Sequence, residues 1–568
     1  MFEWPVKIIP NGITQAVERS SNAHRNMTHG TSGRTFFLDA ANQNLAAIPP
    51  GILELRELEE VHLENNDIEE IPQEIQYLEN IKVLYLNNNR LSKLCPQLGR
   101  LSRLEGLDLS DNPILPSWIP VLSSIRSLRQ LRLYRTQVGE IPTDICKHLH
   151  HLELLGLSGN RLKSLPKEIV NQTKLRELYL KQNQFEVFPP ELCVLRNLVI
   201  IDLDENRLTA LPEEIGRLTR LQKFYVARNS LQGLPESLCQ CDKLSVLDLS
   251  YNRLHSLPRT LGSLSEMTEV ALSGNPLEKV PRLLCKWTAL QLLYLCNAGL
   301  RSLRRSFRRL VNLRFLDLSQ NQMQGFPLQI CSLRNLEILA LDDNKIGKLP
   351  SDFGALSKLK ILGLSGNQFI SFPEEIFSLE SLEKLYIGQD QGAKLTSVPE
   401  DIGKLQSLKE LHIENNHLEY LPVALGSMPN LEVLDCRHNL LKQLPDAICQ
   451  AQALRELLLE NNLLTQLPED LDSLVNLDVL TLMDNPMEDP PEEVYTEGKE
   501  AIFAYLKNKR HMKIVATKIQ SWWRGMMVLK GIGKFSELLR VRKKGKNSLK
   551  SKSGKKGGKE KPAKEKKK

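Results

Sequence analysis

The chain has 568 residues, of which 41% are hydrophobic and 25% charged, a balance typical of a soluble globular protein. Its net charge of +7 is unevenly distributed, because residues 540–568 carry 15 Lys and Arg against 2 Glu while the remainder is slightly acidic. No run of 18 apolar residues and no basic segment followed by an apolar one occurs, so we expect neither a transmembrane helix nor a secretory signal, and we predict an intracellular, cytoplasmic protein.

Residues 1–35 precede the first recognisable repeat, and we expect them to be loose or to form a partial cap. From residue 36 to residue 491 one phrase recurs, as in "LELLGLSGNRLKSLP", "LSVLDLSYNRLHSLP" and "LKILGLSGNQFISFP". Twenty copies follow one another, mostly 23 residues apart, and sixteen of them carry asparagine at one position. The other four copies have Gln43, Thr136, Ala298 and Asp390 at that position.

This phrase resembles the leucine-rich repeat, and its Leu-Pro after the asparagine is similar to the intracellular repeats of Ras-pathway scaffolds and Scribble-type polarity proteins. The alternation x-L-x-L-x predicts a short strand with one face buried, and stacked copies bury their leucines only against their neighbours. We therefore predict an α/β solenoid: a leucine-rich-repeat horseshoe of about 20 repeats with a parallel concave sheet, followed by C-terminal helices and a disordered basic tail. The asparagine is expected to pair with backbone groups where the strand bends.

The outward strand position four residues before the asparagine is predicted to line the concave face. It is rich in tyrosine and aspartate, which suit recognition of a protein surface, especially a basic one. The predicted partner-binding residues are Tyr85, Tyr179, Tyr225, Tyr294, Tyr386, Asp108, Asp202, Asp248 and Asp317. The alternative is that these residues are common fillers of the repeat.

Nothing in the sequence predicts catalysis, a cofactor or a metal. Six of the ten cysteines occupy one position of the repeat that otherwise holds glycine, so we interpret them as small structural residues and free thiols. The cluster "CKHLHH" at residues 146–151 has metal-ligand composition, but a short segment cannot direct four ligands to one ion. No phosphate-binding loop, G-x-S-x-G or H-E-x-x-H motif occurs, so we predict a protein without enzymatic activity.

The sequence departs from the repeat after residue 491, and residues 492–510 are predicted to cap the last coil through Ile502, Tyr505 and Leu506. Residues 511–535 then predict an amphipathic basic helix, because apolar residues recur at steps of three and four from Val515 to Leu529.

This helix resembles the IQ motif, I-Q-x-x-x-R-G-x-x-x-[RK]-x-x-apolar, at Ile519, Gln520, Arg524, Gly525 and Ile532. The later basic position holds Leu529, with Lys530 one residue on. The resemblance implies that calmodulin or a related EF-hand light chain binds here. The full set of predicted contact residues is Ile519, Gln520, Trp522, Trp523, Arg524, Gly525, Met526, Leu529, Lys530 and Ile532. Docking on the last coil and adsorption to an anionic membrane are the competing interpretations.

The Lys-rich segment 540–568 is predicted to be disordered, with tubulin, nucleic acid or an anionic surface as possible contacts. Three functions remain open at this point. The first is a signalling scaffold that holds a protein on the concave face and calmodulin on the IQ helix. The second is a cytoskeletal or ciliary structural component whose tail contacts microtubules. The third, regulation of small GTPases, rests on fold analogy alone.

Overall fold

The computed structural model describes residues 36–113, 118–390 and 392–530. The chain divides between Asn344 and Lys345 into two compact units. The predicted N-terminal segment, the tail 540–568 and the motif residue Ile532 lie outside the described residues.

The first unit contains fourteen strands among its described residues, and consecutive strands of this unit pair in parallel. They are β1 (Phe37–Asp39), β2 (Glu60–His62), β3 (Val83–Tyr85), β4 (Gly106–Asp108), β5 (Gln130–Arg132), β6 (Leu154–Gly156), β7 (Glu177–Tyr179), β8 (Ile200–Asp202), β9 (Lys223–Tyr225), β10 (Val246–Asp248), β11 (Glu269–Ala271), β12 (Leu292–Tyr294), β13 (Phe315–Asp317) and β14 (Ile338–Ala340).

The second unit contains six strands in its described part, again parallel and paired repeat to repeat. They are β15 (Ile361–Gly363), β16 (Lys384–Tyr386), β17 (Glu410–His412), β18 (Val433–Asp435), β19 (Glu456–Leu458) and β20 (Val479–Thr481). The middle residue of each strand points into the core, as Leu84 and Leu411 do with no exposed surface. The predicted leucine-rich-repeat architecture is confirmed.

Short helices return the chain on the other side of each coil. The 3-10 helices are Gln73–Tyr77, Pro96–Arg100, Lys167–Asn171, Pro190–Val194, Glu213–Arg217, Glu236–Gln240, Arg259–Ser263, Arg282–Lys286, Arg305–Arg309, Leu328–Ser332, Ser351–Ala355, Glu374–Ser378, Glu400–Lys404, Val423–Ser427, Asp446–Gln450 and Leu471–Ser473. The α-helices are α1 (Pro50–Leu53), α2 (Ile119–Ser124), α3 (Thr143–His148), α4 (Glu492–Tyr495) and α5 (Lys499–Lys530). Proline precedes most of the 3-10 helices, as Pro212 precedes Glu213–Arg217 with φ −75°, because its fixed φ suits the start of a helical turn.

A ladder of buried asparagines joins successive repeats. All sixteen asparagines of the repeat phrase are buried. In a typical case, Asn252 Nδ2 donates to the carbonyl oxygens of Val226 and Leu249, both at 3.0 Å, and its Oδ1 accepts the Leu231 N–H at 2.9 Å. The predicted pairing of asparagine with backbone groups at the strand end is confirmed.

The assignment of Asp390 to this ladder is wrong, because Gln389 takes the place. Gln389 has no exposed surface and its Oε1 accepts the Asn367 N–H at 3.0 Å, whereas Asp390 is exposed. This repeat is longer by three residues, so the chain reaches the ladder one residue early. The longer glutamine side chain spans the added distance.

Candidate functional site

Helix α5 begins by packing on the last coil of the second unit. Ile502 and Leu506 are 1% and 2% exposed, so the first two turns of the helix complete the leucine core. Tyr505 Oη donates to Asp489 Oδ1 at 2.8 Å, and Lys499 Nζ donates to the Leu477 carbonyl oxygen at 2.7 Å. These contacts cover the end of the stack, which a solenoid needs because its terminal core would otherwise face water.

A row of ion pairs then holds the next turns of α5. Lys509 pairs with Asp489, and Arg510 pairs with both Asp470 and Asp472, the latter at 2.6 Å. Lys513 Nζ lies 2.7 Å from Glu469 Oε1. Each pair at the surface contributes only ~0.2–1 kcal/mol, but three basic residues in four ion pairs together fix the direction in which the helix leaves the coil.

Among the described residues, no hydrogen bond or ion pair joins α5 to the coil beyond Lys513, and the large apolar side chains of this part of the helix are exposed. Trp522 is 64% exposed and Trp523 58%, and Ile519 and Leu529 are similarly open. At 100° per residue, Ile519, Trp522, Trp523, Met526 and Leu529 fall within a stripe about 120° wide. The same geometry turns the centre of this stripe about 140° away from the face that carries Ile502 and Leu506.

Of the remaining motif residues, Lys530 falls within the stripe at 100° per residue, Gly525 and Gln520 lie to its two sides, and Arg524 lies nearly opposite its centre. Gln520, Arg524 and Lys530 are exposed, and Met526 is half-buried. A Cβ added at Gly525 would meet nothing within 4 Å, so the backbone there is open to close approach. Docking of the tryptophans on the last coil, one of the competing interpretations, is wrong for this structure. Residues 499–510 of the predicted cap and residues 511–530 of the predicted motif helix belong to one continuous helix, α5.

The open sheet face is the surface formed by the first and third residues of each strand. The register places Tyr179, Asp202, Tyr225 and Asp248 in consecutive strands β7 to β10, and Tyr294 beside Asp317 in β12 and β13. Tyr85 and Asp108 form a separate pair in β3 and β4. Tyr386 belongs to the second unit, where it stacks on His412 with ring centroids 4.5 Å apart. The nine predicted residues therefore lie in four groups.

The aspartates of this face form hydrogen bonds to the backbone at the ends of their own strands. Oδ1 of Asp108, Asp202, Asp248 and Asp317 accepts the N–H two residues ahead at 2.9–3.0 Å, which closes the turn after the strand. Asp202 is 2% exposed, so its carboxylate is held by the fold before any partner arrives.

Crowding of carboxyls around Asp202 shifts their proton affinities. Burial raises the pKa of Asp202 to about 6, and burial with repulsion from Asp202 and Asp248 raises the pKa of Asp204 to about 8. Burial and the Asp248 charge raise the pKa of Glu269 to about 7. An incoming Lys or Arg would favour the ionised carboxyls, so this part of the face suits a basic group.

The tyrosines offer apolar area with a polar tip. Tyr294 packs against Phe315 at a centroid distance of 4.6 Å, and its hydroxyl has no hydrogen-bond partner among the described residues. Tyr179 Oη donates to Glu177 Oε2 at 2.8 Å. Tyrosine hydroxyls of this kind find partners when an interface is formed.

Asp204→Asn is expected to stabilise the first unit increasingly as pH rises. A folded pKa of about 8 against an ordinary value of 3.8 means that folding loses stability as pH rises between these values, because the folded state resists ionisation. Asparagine keeps the oxygen that accepts the Ala227 N–H. Urea unfolding should show that the advantage of the variant grows by about 4 kcal/mol between pH 5 and pH 8.5, because each pH unit up to the folded pKa is worth about 1.4 kcal/mol. Glu186→Gln, on an exposed carboxylate, should change stability by less than ~0.5 kcal/mol at both pH values. A constant difference for Asp204→Asn would contradict the account.

Sequence analysis missed a cluster at His412, Glu414 and Asp435 in the second unit. One ligand atom of each lies within 4.8 Å of the others, as a metal would require. However, Arg437 already binds both oxygens of Asp435, and His412 lies 3.8 Å from Asp435 Oδ2 and 3.6 Å from Glu410 Oε2. Burial alone would lower the pKa of His412, but the carboxylates of Asp435 and Glu410 outweigh it and raise that pKa to about 9.

The histidine of this cluster is thus a cation among carboxylates, and the arrangement is an internal ion-pair network. The sequence signal was available in principle, since "LHIE" and "LDCR" end the neighbouring strands β17 and β18. The regular 23-residue register of these two strands places His412 opposite Asp435.

Comparisons with known proteins agree with this architecture. The family model "Leucine-rich repeat region" matches residues 275–419, and "Leucine rich repeat" matches residues 56–114, 126–185, 196–254 and 219–277. A two-copy model matches residues 406–448. The fold and these matches define a leucine-rich repeat protein.

The chain belongs to the family of leucine-rich repeat and IQ domain-containing proteins. It is 80% identical over 537 residues to leucine-rich repeat and IQ domain-containing protein 4 of Homo sapiens, which covers 94% of this chain and 96% of the relative. The mouse protein of that name is 80% identical over 536 residues, covering 94% and 90%. The resemblance drawn from the repeats and the helix is confirmed.

Solved structures share the repeat architecture. The plant peptide hormone receptor RGFR1 in complex with RGF2 has a TM-score of 0.54 and 27% identity, covering 77% of this chain and 80% of the receptor. A TDR receptor has a TM-score of 0.51 and 25% identity, covering 80% and 81%. Within the described ranges, the helices are too short or too polar to cross a bilayer.

Proposed function

We propose that the protein is a non-enzymatic intracellular scaffold that recruits calmodulin, or a related EF-hand light chain, through the exposed half of α5. The observation that carries the proposal is the isolation of the tryptophan pair: the helix is fastened to the last coil as far as Lys513, and Trp522 and Trp523 lie beyond it with most of their surface in water. Exposed apolar stripes with basic flanks on a helix are the feature that calmodulin grooves recognise.

The family name supports the same partner, because an IQ domain is a light-chain-binding helix and Ile519, Gln520, Arg524 and Gly525 match its pattern. The structure adds a mechanical consequence to the proposal. Because α5 is continuous from Lys499 to Lys530, a light chain bound at the stripe is held at a fixed direction from the second unit.

The second proposed surface is the open sheet face of the first unit, which we assign to a basic protein segment. It combines the carboxyls of Asp202 and Glu269, with Asp204 just beyond the end of β8, and the hydroxyl of Tyr294, which has no partner among the described residues. The receptor RGFR1, which shares the fold, was solved with a peptide hormone. Proximity labelling in cells should identify proteins near this face. We expect the double variant Tyr294→Ala with Glu269→Lys to lose them, and a variant in which the α5 tryptophans are replaced to keep them.

A titration of the full chain with calmodulin tests the first proposal. We expect a one-to-one complex with a dissociation constant below about 1 μM in calcium, in EGTA, or in both, because the stripe presents two tryptophan anchors. Isothermal titration calorimetry at physiological salt measures the stoichiometry directly. Absence of a complex in both conditions would refute the assignment of this partner.

A further inference from the structure

The first unit also contains a strongly basic cavity. It is an open depression of about 450 Å³ between the 3-10 helices Arg282–Lys286 and Arg305–Arg309. The side chains that line it include five cations and no carboxylate, namely Arg282, Lys286, Arg304, Arg305 and Arg309. Sequence analysis did not single out the segment "RSLRRSFRRL" that supplies three of them.

The cations of this cavity have no acidic partner in the part of the chain that the structure describes. Elsewhere in the unit arginines pair with neighbouring repeats, as Arg314 Nε does with Glu337 Oε1 at 2.7 Å. Within the cavity Arg304 Nε donates to the Val280 carbonyl oxygen at 3.0 Å, which holds this side chain at the wall, and the other four side chains are exposed. Arg301 and Arg308 are exposed nearby in the chain and extend the positive charge.

The repeat pattern explains why the charge is uncompensated. The 3-10 helices of neighbouring repeats carry acidic residues in the first turn, for example Glu213, Glu214 and Glu236. The four successive helices from Arg259 to Ser332 carry none. Buried Cys285 and half-buried Ser306 complete the lining, and these small side chains leave room between the cations.

We propose that this cavity binds a compact polyphosphate, several phosphate groups on one small scaffold such as a phosphorylated inositol ring. Five like charges around one depression repel one another, and a multivalent anion relieves that repulsion. Guanidinium groups bind phosphate oxygens in pairs, and the volume is in the range of small-ligand sites. The lining has no aromatic side chain on which a base could stack, and the cations surround one depression, which favours a compact anion over a nucleic-acid strand.

The test titrates the full chain with inositol hexakisphosphate at physiological salt. We expect one saturable site, and we expect Arg305→Gln with Arg309→Gln to weaken it at least 30-fold, since each lost arginine removes charge-assisted hydrogen bonds. Arg305→Lys with Arg309→Lys should keep the charge and lose less. Arg196→Gln with Arg217→Gln, two exposed arginines of the same unit, is the matched control and should stay within 3-fold of the parent.

Vesicles containing 5% phosphatidylinositol 4,5-bisphosphate distinguish the free ligand from a lipid head group. If the parent chain sediments with the vesicles and the cavity variant does not, the ligand is the lipid head group. If the variant loses only its binding of inositol hexakisphosphate, the ligand is the free polyphosphate. Thermal melting of each variant establishes that it is folded. If the cavity variant still binds, the proposal is overturned and the Lys-rich segment 540–568 becomes the binding site to test. If the parent chain binds neither probe, the proposal is also overturned.

Discussion

Replacing Trp522 and Trp523 together with alanine is expected to weaken calmodulin binding by roughly 100-fold to 1000-fold. Tryptophans at the centre of an interface typically contribute 2 kcal/mol or more each, and tenfold in affinity corresponds to about 1.4 kcal/mol. Both side chains are mostly exposed in the free protein, so their removal has no core to disturb. The measurement is the calorimetric titration with the full chain in calcium and in EGTA.

The control for this prediction is a pair of equally exposed apolar residues elsewhere in the second unit. Ile370 is 79% exposed and Val475 is 77% exposed, so Ile370→Ala with Val475→Ala removes similar open surface without touching α5. This control should bind calmodulin like the parent, and both variants should melt like the parent. Unchanged affinity after loss of the tryptophans would show that they are not the anchors.

Asn252→Ala is expected to destabilise the first unit by ~3–5 kcal/mol. The substitution leaves the carbonyl oxygens of Val226 and Leu249 and the N–H of Leu231 buried without their partner. An unsatisfied buried polar group costs ~1–3 kcal/mol, and alanine cannot replace an amide that bonds in both directions. Urea denaturation followed by circular dichroism measures the loss.

Asn312→Ala is the control that distinguishes loss of a ladder asparagine from loss of any asparagine. Asn312 is exposed and its Nδ2 makes one hydrogen bond, to the Thr288 carbonyl oxygen at 2.8 Å. Its removal should cost less than ~1 kcal/mol, because water replaces the partner. If the two substitutions destabilised the chain equally, the ladder would not be the element that joins the repeats.

The fold could be predicted because every repeat has the same sequence pattern. A wrong assignment in one repeat is therefore outweighed by the agreement of the others. The irregular repeat shows the limit. Counting along the phrase led to Asp390, but the backbone in this copy follows another path and only the longer side chain of Gln389 reaches Asn367. Sequence spacing gives no information on such a path.

The surfaces were less predictable than the fold. The sequence around Asp202 is the same whether its side chain contacts a partner protein or closes the turn after its own strand. Only the coordinates show that Asp202 Oδ1 accepts the Asp204 N–H. The cluster around His412 and the cavity beside Arg305 depend on contacts between repeats. The apolar stripe of α5 was easier to predict from the sequence, because the order of residues around a helix follows from its period alone.

Hydrogen–deuterium exchange of the full chain, with and without calmodulin, tests the central claim most directly. The claim is that α5 is fastened to the last coil through residue 513 and free beyond it. We expect amides of residues 502–513 to be strongly protected in the free chain, and amides of residues 514–530 to exchange faster and to become protected only when calmodulin is added. Equal protection of both halves in the free chain, with no change on adding calmodulin, would contradict the account.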